Sequence, residues 1–277
     1  MTPPAALARL RRTFARNMLA QAGVDDARIE RAFAETPREK FAGPTPWFVA
    51  RYGDYTATRD IADLYSDCLV AIDPARGINI GEPALHARCL QALALREGET
   101  VLHIGAGVGY YTAMLARLVG LAGKVVGYEV DAGIAARARE NLRDHRNVTI
   151  EARSGVAPGL PEADAIYVNA AAIQPYACWR AALRPGGRLL FPLAAPHAVG
   201  AMLLVERGAS DLRWPAHFLF PVAFIACETN RDRAAERRLT ERFLDASWRD
   251  VRALRFDAPD ETCWLRGEDW WLSPAAS

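Results

Sequence analysis

The chain has 277 residues, 51% of them hydrophobic and 24% charged, and this composition excludes disordered and fibrous proteins because it can bury a large core. Its 34 lysines and arginines nearly balance 33 aspartates and glutamates, for a formal net charge of +1, so we expect no nucleic-acid partner held by phosphate neutralisation. No apolar run reaches the roughly 18 residues of a membrane span, and arginines interrupt the N-terminal segment, so we expect a cytoplasmic globular protein without membrane contact.

The first elements along the chain are two predicted helices. Apolar residues recur at helical spacing from Ala5 to Ala22, and Gly23 ends this helix. Asp25 or Asp26 can cap the second helix, which ends before Pro37 because proline disfavours helical geometry in the preceding residue. A transit peptide is an alternative interpretation of the arginine-rich first helix, but the acidic residues that follow favour an amphipathic helix covering a sheet.

The next segment, from Phe41 to Gly81, is rich in proline, aromatic residues and short polar runs. This composition predicts irregular structure, with a hairpin around Leu69 to Asn79. Because binding residues are often carried on loops, a functional site could be built here.

From Pro83 onward, helices and strands alternate. The predicted strands are 100–104, 124–129, 148–152, 163–168 and 188–192, and the predicted helices are 83–95, 111–119, 132–144 and 175–183. Such alternation specifies an α/β fold with a mainly parallel sheet. Late strands at 201–207 and 218–227 and a charged helix at 231–244 follow. The tail from 263 to 272 carries three tryptophans, for which a strand that packs in the core is favoured over an aromatic binding box.

A glycine-rich turn follows the predicted strand at 100–104, in the sequence VLHIGAGVGY. Gly105, Gly107 and Gly109 let the backbone bend sharply and approach a ligand. The dinucleotide fingerprint needs a small residue where Tyr110 stands, so pyrophosphate binding is disfavoured. Glu129, about twenty residues on, can accept hydrogen bonds from both ribose hydroxyls. Together these residues favour a nucleoside site over a purely structural turn.

Five segments resemble class I S-adenosylmethionine-dependent methyltransferases, and among them the protein-L-isoaspartate O-methyltransferases. Thr36–Phe41 is similar to the family's PREKF element, and Ile80–Ala87 lies where the family has the substrate segment TISQPYIVA. Val101–Tyr110 is similar to VLEIGTGSGY, Asp164–Ala172 to DAIIVGAAAP, and Leu183–Leu193 to LKPGGRLVIPVG. The resemblance implies a Rossmann-like fold with a mainly parallel seven-stranded sheet flanked by helices, and S-adenosyl-L-methionine as cofactor.

The resemblance also implies a domain organisation and a set of site residues. We expect N-terminal helices and loops covering the site (1–82), a cofactor-binding domain (83–228) and a C-terminal extension (229–277). The predicted acceptor-site residues are Asn79, Gly81, Glu82 and His86. The predicted cofactor-binding residues are Ile80, His103, Gly105, Ala106, Gly107, Gly109, Tyr110, Glu129, Val130, Ser154, Gly155 and Asn169.

The chain departs from the family pattern at three places. Gly81 replaces a serine whose hydroxyl would help to hold an isoaspartyl carboxylate. His103 replaces an acidic residue that orients the methionine ammonium, and it could instead be an ordinary core histidine. Ser154 replaces the aspartate that contacts adenine. These departures predict poor activity on isoaspartyl peptides. If the segment from Ile78 to Pro83, here called the acceptor segment, sets acceptor choice, Gly81→Ser with Glu82→Gln improves that activity.

The chemistry expected of the site is simple. A carboxylate acceptor is ionised at neutral pH, because its unperturbed pKa is about 4, and it needs no general base. Glu82 and His86 are four residues apart at a helix start and can face the same side. Glu82 can equally be a solvated charge at the helix start, and His86 either a base or a packed histidine.

Two functions follow from these residues. The first is a methyltransferase that acts on a carboxylate of a protein, peptide or small molecule. The second is a binding or scaffold module whose cofactor pocket has degenerated. Neither a disulfide framework nor a metal site is expected, because the cysteines are odd in number, widely spaced and never paired as C-x-x-C. They are Cys68, Cys89, Cys178, Cys227 and Cys263.

Overall fold

A computed structural model of the chain describes residues 4–51, 54–225 and 232–274. The chain divides into two compact units. The first comprises residues 1–99 and 106–153, and the second comprises residues 100–105 and 154–277. The chain therefore enters the second unit for residues 100–105, which include the predicted strand at 100–104. It then returns to the first unit before it enters the second unit again at residue 154.

The N-terminal part of the first unit consists of helices and two hairpins. In chain order its elements are α1 (Pro4–Ala22), α2 (Ala27–Glu35), α3 (Arg38–Ala42), β1 (Trp47–Arg51), β2 (Asp54–Thr58), α4 (Ile61–Leu64), β3 (Ala71–Asp73), β4 (Ile78–Asn79) and α5 (Pro83–Leu93). Helix α1 packs against α2 and α5. Strands β1 and β2 pair antiparallel, as do β3 and β4.

The rest of the first unit carries the helix after the glycine turn and two parallel strands. These elements are α6 (Tyr110–Val119), β6 (Lys124–Tyr128), α7 (Ala132–Asn141) and β7 (Val148–Glu151). Asp131 caps α7, because its side chain accepts a hydrogen bond from the Ile134 N–H at 2.9 Å. Strands β6 and β7 pair in parallel through α7, which makes a β-α-β unit.

The described residues of the second unit contain eight strands that pair in a mixed sheet. Its elements in chain order are β5 (Thr100–Ile104), β8 (Ala163–Val168), α8 (Ala177–Ala182), β9 (Leu183–Leu193), β10 (Gly200–Glu206), β11 (Arg213–Val222), α9 (Arg233–Arg242), β12 (Ala253–Arg255), β13 (Leu265–Arg266) and β14 (Trp271–Ser273). The strand order is β13-β14-β12-β11-β10-β9-β8-β5. The β5–β8 and β8–β9 pairs are parallel, and the pairs beyond β9 are antiparallel.

The predicted α/β class is confirmed, whereas the strand directions differ from the prediction. The sheet is mixed rather than mainly parallel, because β9, β10 and β11 follow one another through short connections without crossover helices. The hairpin at 69–79 is present. The β1–β2 hairpin lies in the segment predicted to be irregular. The end of the predicted strand at 218–227 and the start of the predicted helix at 231–244 fall outside the described residues.

The C-terminal elements of the second unit pack around an aromatic cluster. The rings of Phe218, Phe243, Trp248 and Trp264 lie with centroids 5.5 to 6.0 Å apart, mostly edge to face. Trp264 and Trp271 are buried. The tryptophan-rich tail therefore packs in the core, as favoured from the sequence. Cys68, Cys89, Cys178 and Cys263 form no disulfide among the described residues, and Cys227 lies outside them. None of the described helices combines the length and apolar character needed to cross a bilayer.

Candidate functional site

Glu129, directly after β6, receives two backbone hydrogen bonds. The Gly107 N–H donates to Glu129 Oε2 at 2.9 Å, and the Asp131 N–H donates to Glu129 Oε1 at 3.0 Å. Each carboxylate oxygen accepts one of these bonds and keeps a second lone-pair direction. The carboxylate is therefore fixed in orientation while both of its oxygens can accept a further hydrogen bond.

Gly107 and Gly109 both have positive φ, but their surroundings differ. At Gly109 (φ +91°), an added Cβ would lie 2.5 Å from Leu142 Cδ1, so glycine is required for packing between α6 and α7. At Gly107 (φ +55°), no atom of the described residues lies within 4 Å of such a Cβ. Gly107 thus lines open space beside the Glu129 carboxylate.

Other predicted cofactor residues of the first unit flank this turn. The Ala106 N–H donates to the Tyr128 carbonyl oxygen at 3.0 Å, which joins the turn to the end of β6. Val130, next to Glu129, leaves 63% of its surface exposed. Tyr110 is buried, its ring 5.4 Å from that of Phe41. Burial raises the pKa of the Tyr110 hydroxyl.

His103 on β5 lies beside Asn169 in the second unit. His103 Nε2 and Asn169 Nδ2 are 2.7 Å apart, and the His103 ring is stacked on Tyr167 with centroids 5.5 Å apart. Complete burial lowers the pKa of His103 from 6.5 to about 3, so the imidazole is neutral at neutral pH. Asn169 Oδ1 is buried and has no hydrogen-bond partner among the described residues. The His103 imidazole is therefore uncharged, and Asn169 Oδ1 can accept a further hydrogen bond.

Ser154 and Gly155 form a turn in the second unit. Ser154 Oγ accepts a hydrogen bond from the Val156 N–H at 3.1 Å, and the Gly155 carbonyl accepts one from Trp179 Nε1 at 2.7 Å. Trp179 is completely buried. The buried indole thus fixes the Gly155 backbone, and the Ser154 oxygen stabilises the turn itself.

Gly81 is the centre of the predicted acceptor segment, and its backbone polar groups are bonded within the first unit. Its N–H donates to Asn79 Oδ1 at 2.8 Å. Its carbonyl oxygen accepts from the Tyr111 hydroxyl at 3.3 Å and from Arg38 Nη2 at 3.1 Å. The neighbouring Ile80 is buried and its N–H donates to the Val70 carbonyl at 2.9 Å. Asn79 therefore positions the segment through its side chain.

His86 lies one turn into α5 and is 2% exposed. Its ring is stacked on Tyr111, with centroids 3.6 Å apart and planes inclined by 15°. Gly81 has φ +84°, and a Cβ there would lie 2.4 Å from His86 Nε2. The structure thus brings Gly81 and His86 together so closely that a side chain at position 81 requires the ring to move.

Glu82 occupies the N-cap position immediately before α5, but its side chain does not cap the helix. Its side chain makes no hydrogen bond to the helix N-terminus, where Asp67 Oδ1 instead accepts from the Ala84 N–H at 2.8 Å. Partial burial of the carboxyl, and then the charge of Asp67, raise the pKa of Glu82. Glu82 is exposed whereas His86 is buried, so the two occupy different environments.

Arg38 is a residue of this region that the sequence reasoning missed. Its guanidinium is completely buried, and it donates to four backbone carbonyls: those of Leu64, Ser66, Cys68 and Gly81, at 2.6 to 3.1 Å. It therefore ties the loop after α4 to the acceptor segment. The available signal was its place in the PREKF element, but neither periodicity nor composition distinguishes a buried arginine from a surface one.

The described residues contain no cluster of side chains suited to bind a metal ion. No three histidine, cysteine, aspartate or glutamate side chains are grouped there as a metal ion would require.

Comparison with known proteins places the chain in context. Residues 12–230 match the family model described as Protein-L-isoaspartate(D-aspartate) O-methyltransferase. The chain is 36% identical over 213 residues to a protein-L-isoaspartate O-methyltransferase of Anaeromyxobacter dehalogenans strain 2CP-C, which covers 75% of this chain and 92% of that protein. It is 33% identical over 207 residues to the protein of the same name from Methylorubrum extorquens strain PA1, with 73% and 81% covered.

Solved structures with a similar fold agree with these relatives. A protein-L-isoaspartate O-methyltransferase superposes with a TM-score of 0.66 at 24% identity, covering 79% of this chain and 66% of that one. A protein-L-isoaspartate O-methyltransferase from Plasmodium falciparum, in complex with S-adenosyl-L-homocysteine, superposes with a TM-score of 0.63 at 21% identity, covering 79% of this chain and 99% of that one.

These matches confirm the family, the fold class, the enzyme class and the cofactor that the five segments predicted. The family match ends at residue 230, before α9 and strands β12 to β14. The roles of the individual site residues and the three-part domain division stay predictions.

Proposed function

The chain belongs to the protein-L-isoaspartate O-methyltransferase family and is an S-adenosylmethionine-dependent methyltransferase, and we propose that its acceptor is a carboxylate of a protein, peptide or small molecule. The acceptor class is taken from the family, and the observation that supports the cofactor is the oriented Glu129 carboxylate, held by the Gly107 and Asp131 amides. A nucleoside ribose offers two adjacent hydroxyl donors, and such a carboxylate accepts both.

The residues of the glycine turn fit this cofactor. Glu129 binds the ribose diol, and the open space at Gly107 lets the ligand approach the backbone without meeting a side chain. The exposed Val130 offers the purine an apolar contact. Gly105, Ala106 and the start of α6 at Tyr110 complete the turn.

The methionine end of the cofactor requires an acceptor for its ammonium. We assign this role to Asn169 Oδ1, which is buried and unused by the described residues. His103 orients the Asn169 amide through the 2.7 Å contact and remains neutral, because burial lowers its pKa. An amide in place of a carboxylate gives a weaker contact with a cation, since hydrogen bonds to charged groups are strongest when both partners are charged. Ser154 likewise offers adenine a neutral hydroxyl where the family has a charged aspartate.

When bound, the cofactor supplies a methyl group activated on a sulfonium. The protein has to orient the acceptor and exclude water. A carboxylate acceptor is already ionised at neutral pH and requires no base, so this function gives His86 no proton to remove. Asn79, Gly81 and Glu82 form the acceptor segment, and Arg38 and Tyr111 hold its backbone in place.

Simple isoaspartyl peptides are expected to be poor acceptors. Gly81 offers no hydroxyl, and its own N–H and carbonyl are bonded internally. The Glu82 carboxylate, when ionised, repels an acceptor carboxylate nearby. A scaffold function without catalysis has no observation in its favour. Absence of nucleic-acid and membrane partners and a cytoplasmic location stay predictions.

A methyl-transfer assay tests the acceptor class. The protein is incubated with S-adenosylmethionine labelled in the methyl group and with cell-extract fractions, an isoaspartyl peptide and its aspartyl control. We expect base-labile label, the signature of a carboxyl methyl ester, in some fraction and little in either peptide. Label found only in base-stable form would contradict a carboxylate acceptor.

A further inference from the structure

A cleft of about 370 Å³ in the first unit is lined by residues of α3 and the loop after it, of β1 and β3, and of the C-terminal part of α7. We call it the α3–α7 cleft. Its apolar wall is formed by Pro44, Pro46, Trp47, Phe48, Ile72 and Pro74, and its polar wall by Lys40, Arg137, Glu140 and Asn141. Neither Gly107 nor Glu129 lines it, so the cleft is distinct from the ribose site proposed above.

The apolar wall is held in place by the protein itself. Proline fixes φ at two positions of the loop after α3, and Trp47 Nε1 donates a hydrogen bond to the Gly43 carbonyl oxygen at 2.8 Å. The Ala50 N–H donates to the Leu69 carbonyl oxygen at 2.9 Å, which joins β1 to the chain before β3. Phe48 is 37% exposed, so its ring is available at the surface. A preformed apolar surface binds a side chain at a small cost in conformational entropy.

The polar wall carries two cations. The Arg137 guanidinium lies against the Gly43 backbone, because a Cβ at that glycine would be 3.2 Å from Arg137 Nη2. This guanidinium makes no ion pair or hydrogen bond with the described residues. Lys40 Nζ is 3.7 Å from Asp144 Oδ2, but the Asp144 side chain is 74% exposed, and such a surface pair contributes little. Both cations are therefore able to pair with a carboxylate of a ligand.

The negative charge in the lining is already neutralised. Among the described lining residues only Glu140 is acidic, and its carboxylate forms an ion pair with Arg143, which lies outside the lining. The Asn141 amide donates to the Val108 carbonyl oxygen at 3.0 Å and brings no charge. The cleft thus combines apolar surface with a net positive charge. This combination is complementary to a ligand with an apolar group beside carboxylates, and it disfavours a cationic ligand.

We propose that the α3–α7 cleft is a docking site for a peptide segment of a partner protein, in which an aromatic side chain is flanked by aspartates or glutamates. Pro44, Pro46 and Phe48 are exposed, so the apolar wall is within reach of a segment of another protein. The aromatic side chain packs on this wall. A flanking carboxylate pairs with Arg137, whose planar guanidinium matches the two carboxylate oxygens. The volume lies at the lower end of the range of about 300–1,000 Å³ for ligand sites, which suits a single large side chain as the anchor.

Fluorescence anisotropy with three labelled seven-residue peptides tests this specificity. The first peptide has a tryptophan flanked by aspartates, the second has lysines in place of the aspartates, and the third has serine in place of the tryptophan. Each is titrated with the full chain at low ionic strength and again at about 0.5 M salt. We expect the first peptide to bind at least about tenfold more tightly than the other two at low ionic strength, and salt to weaken its binding. If it binds no more tightly than either of them, the proposal is wrong.

Variants of both walls test where the peptide binds. Phe48→Ala and Arg137→Gln should each weaken binding of the first peptide at least about fivefold. Lys40→Gln, at an exposed position, is a second variant of the polar wall and should also weaken it. Leu121→Ala and Arg146→Gln are the matched controls, because they change an exposed apolar residue and an exposed arginine of the same unit outside the cleft. Urea unfolding identifies the folded variants. Wild-type affinity in the folded cleft variants would overturn the proposal.

Other occupants of the cleft have their own signatures. Saturating S-adenosylhomocysteine should leave the peptide affinity unchanged, whereas competition would place the peptide in the cofactor site. Sedimentation velocity should show one oligomeric state for wild type and Phe48→Ala, whereas a dimer lost in the variant would make a second copy the occupant. Indole-3-acetate should compete at least about tenfold more weakly than the peptide, whereas equal competition would make a small aromatic acid the ligand. Each of these contrary results would overturn the proposal. None of the measurements involves methyl transfer, so they decide it separately from the proposed function.

Discussion

The Gly107 amide donates a hydrogen bond to Glu129 Oε2 at 2.9 Å, which joins the glycine turn to the carboxylate at the end of β6. The two residues are far apart in sequence, and both were predicted to contact the cofactor. Their direct bond means that the turn is held in place by the same carboxylate that we assign to the ribose. Loss of Glu129 should therefore affect both the ligand and the turn.

Glu129→Ala should weaken S-adenosylhomocysteine binding at least about tenfold, because it removes two charge-assisted hydrogen bonds to the ribose. Glu129→Gln should lose less, since one oxygen remains to accept from the diol or from the Gly107 amide. Calorimetric titration measures both. Glu162→Ala is the control, because that side chain is 78% exposed. A Glu129→Ala protein that binds within twofold of wild type would remove Glu129 from the ribose site.

Gly107→Ala should keep the fold and lose cofactor affinity. The methyl group enters open space, and φ +55° costs an alanine only about 1–2 kcal/mol. Gly109→Ala should instead lower thermal stability strongly, because its methyl group would lie 2.5 Å from Leu142 Cδ1. Thermal melts with and without S-adenosylhomocysteine separate the two effects. Full ligand-induced stabilisation of Gly107→Ala would place the ligand elsewhere.

His103 should make stability fall in mild acid. Burial lowers its pKa from 6.5 to about 3, so as the pH falls below 6.5 the unfolded chain takes up a proton that the folded chain does not. The contribution of this pKa shift to the free energy of unfolding is fully present above pH 6.5. Below that pH it declines by up to about 1.4 kcal/mol per pH unit. In His103→Gln, the free energy of unfolding measured with urea should depend less on pH between about pH 6.5 and 4.5. The exposed His217 provides the control His217→Gln. Parallel curves for wild type and His103→Gln would contradict a buried neutral imidazole.

Arg38→Lys should destabilise the protein by at least about 2 kcal/mol, because an ammonium with three donors cannot reproduce the planar guanidinium contacts to four carbonyls. Arg143→Lys, on the exposed surface of the first unit, should change little. Urea unfolding measures both. An Arg38→Lys protein as stable as wild type would show that water or the lysine itself satisfies those carbonyls.

The sequence predicted the local elements where periodicity was strong. Helix α1, strand β5 and the α6–β6–α7–β7 succession lie close to their predicted bounds, because each has an apolar pattern of one period and a glycine or aspartate at its end. Strands β1 and β2 were missed. The residues of β2 are exposed or half-buried, and its five residues include only two apolar ones, Tyr55 and Ala57, which is too short a pattern to distinguish a strand from a loop.

The residues that hold the acceptor segment were less accessible to sequence reasoning. Gly81 was recognised only as a missing hydroxyl, whereas its positive φ and its contact with His86 depend on the path of the backbone. Arg38 lies 43 residues from Gly81 in sequence. Because every residue has a backbone carbonyl, the residue type at position 81 does not indicate that its carbonyl accepts a hydrogen bond from an arginine. Long-range contacts to main-chain atoms therefore had to come from the structure.

The most direct test of S-adenosylmethionine-dependent function in this chain is a calorimetric titration of the wild-type protein with S-adenosylhomocysteine. Saturable binding to one site per chain, accompanied by an increase in the thermal unfolding midpoint, is the predicted result. Absence of both heat and thermal stabilisation at millimolar ligand would contradict the assignment of the glycine turn and Glu129 to the cofactor.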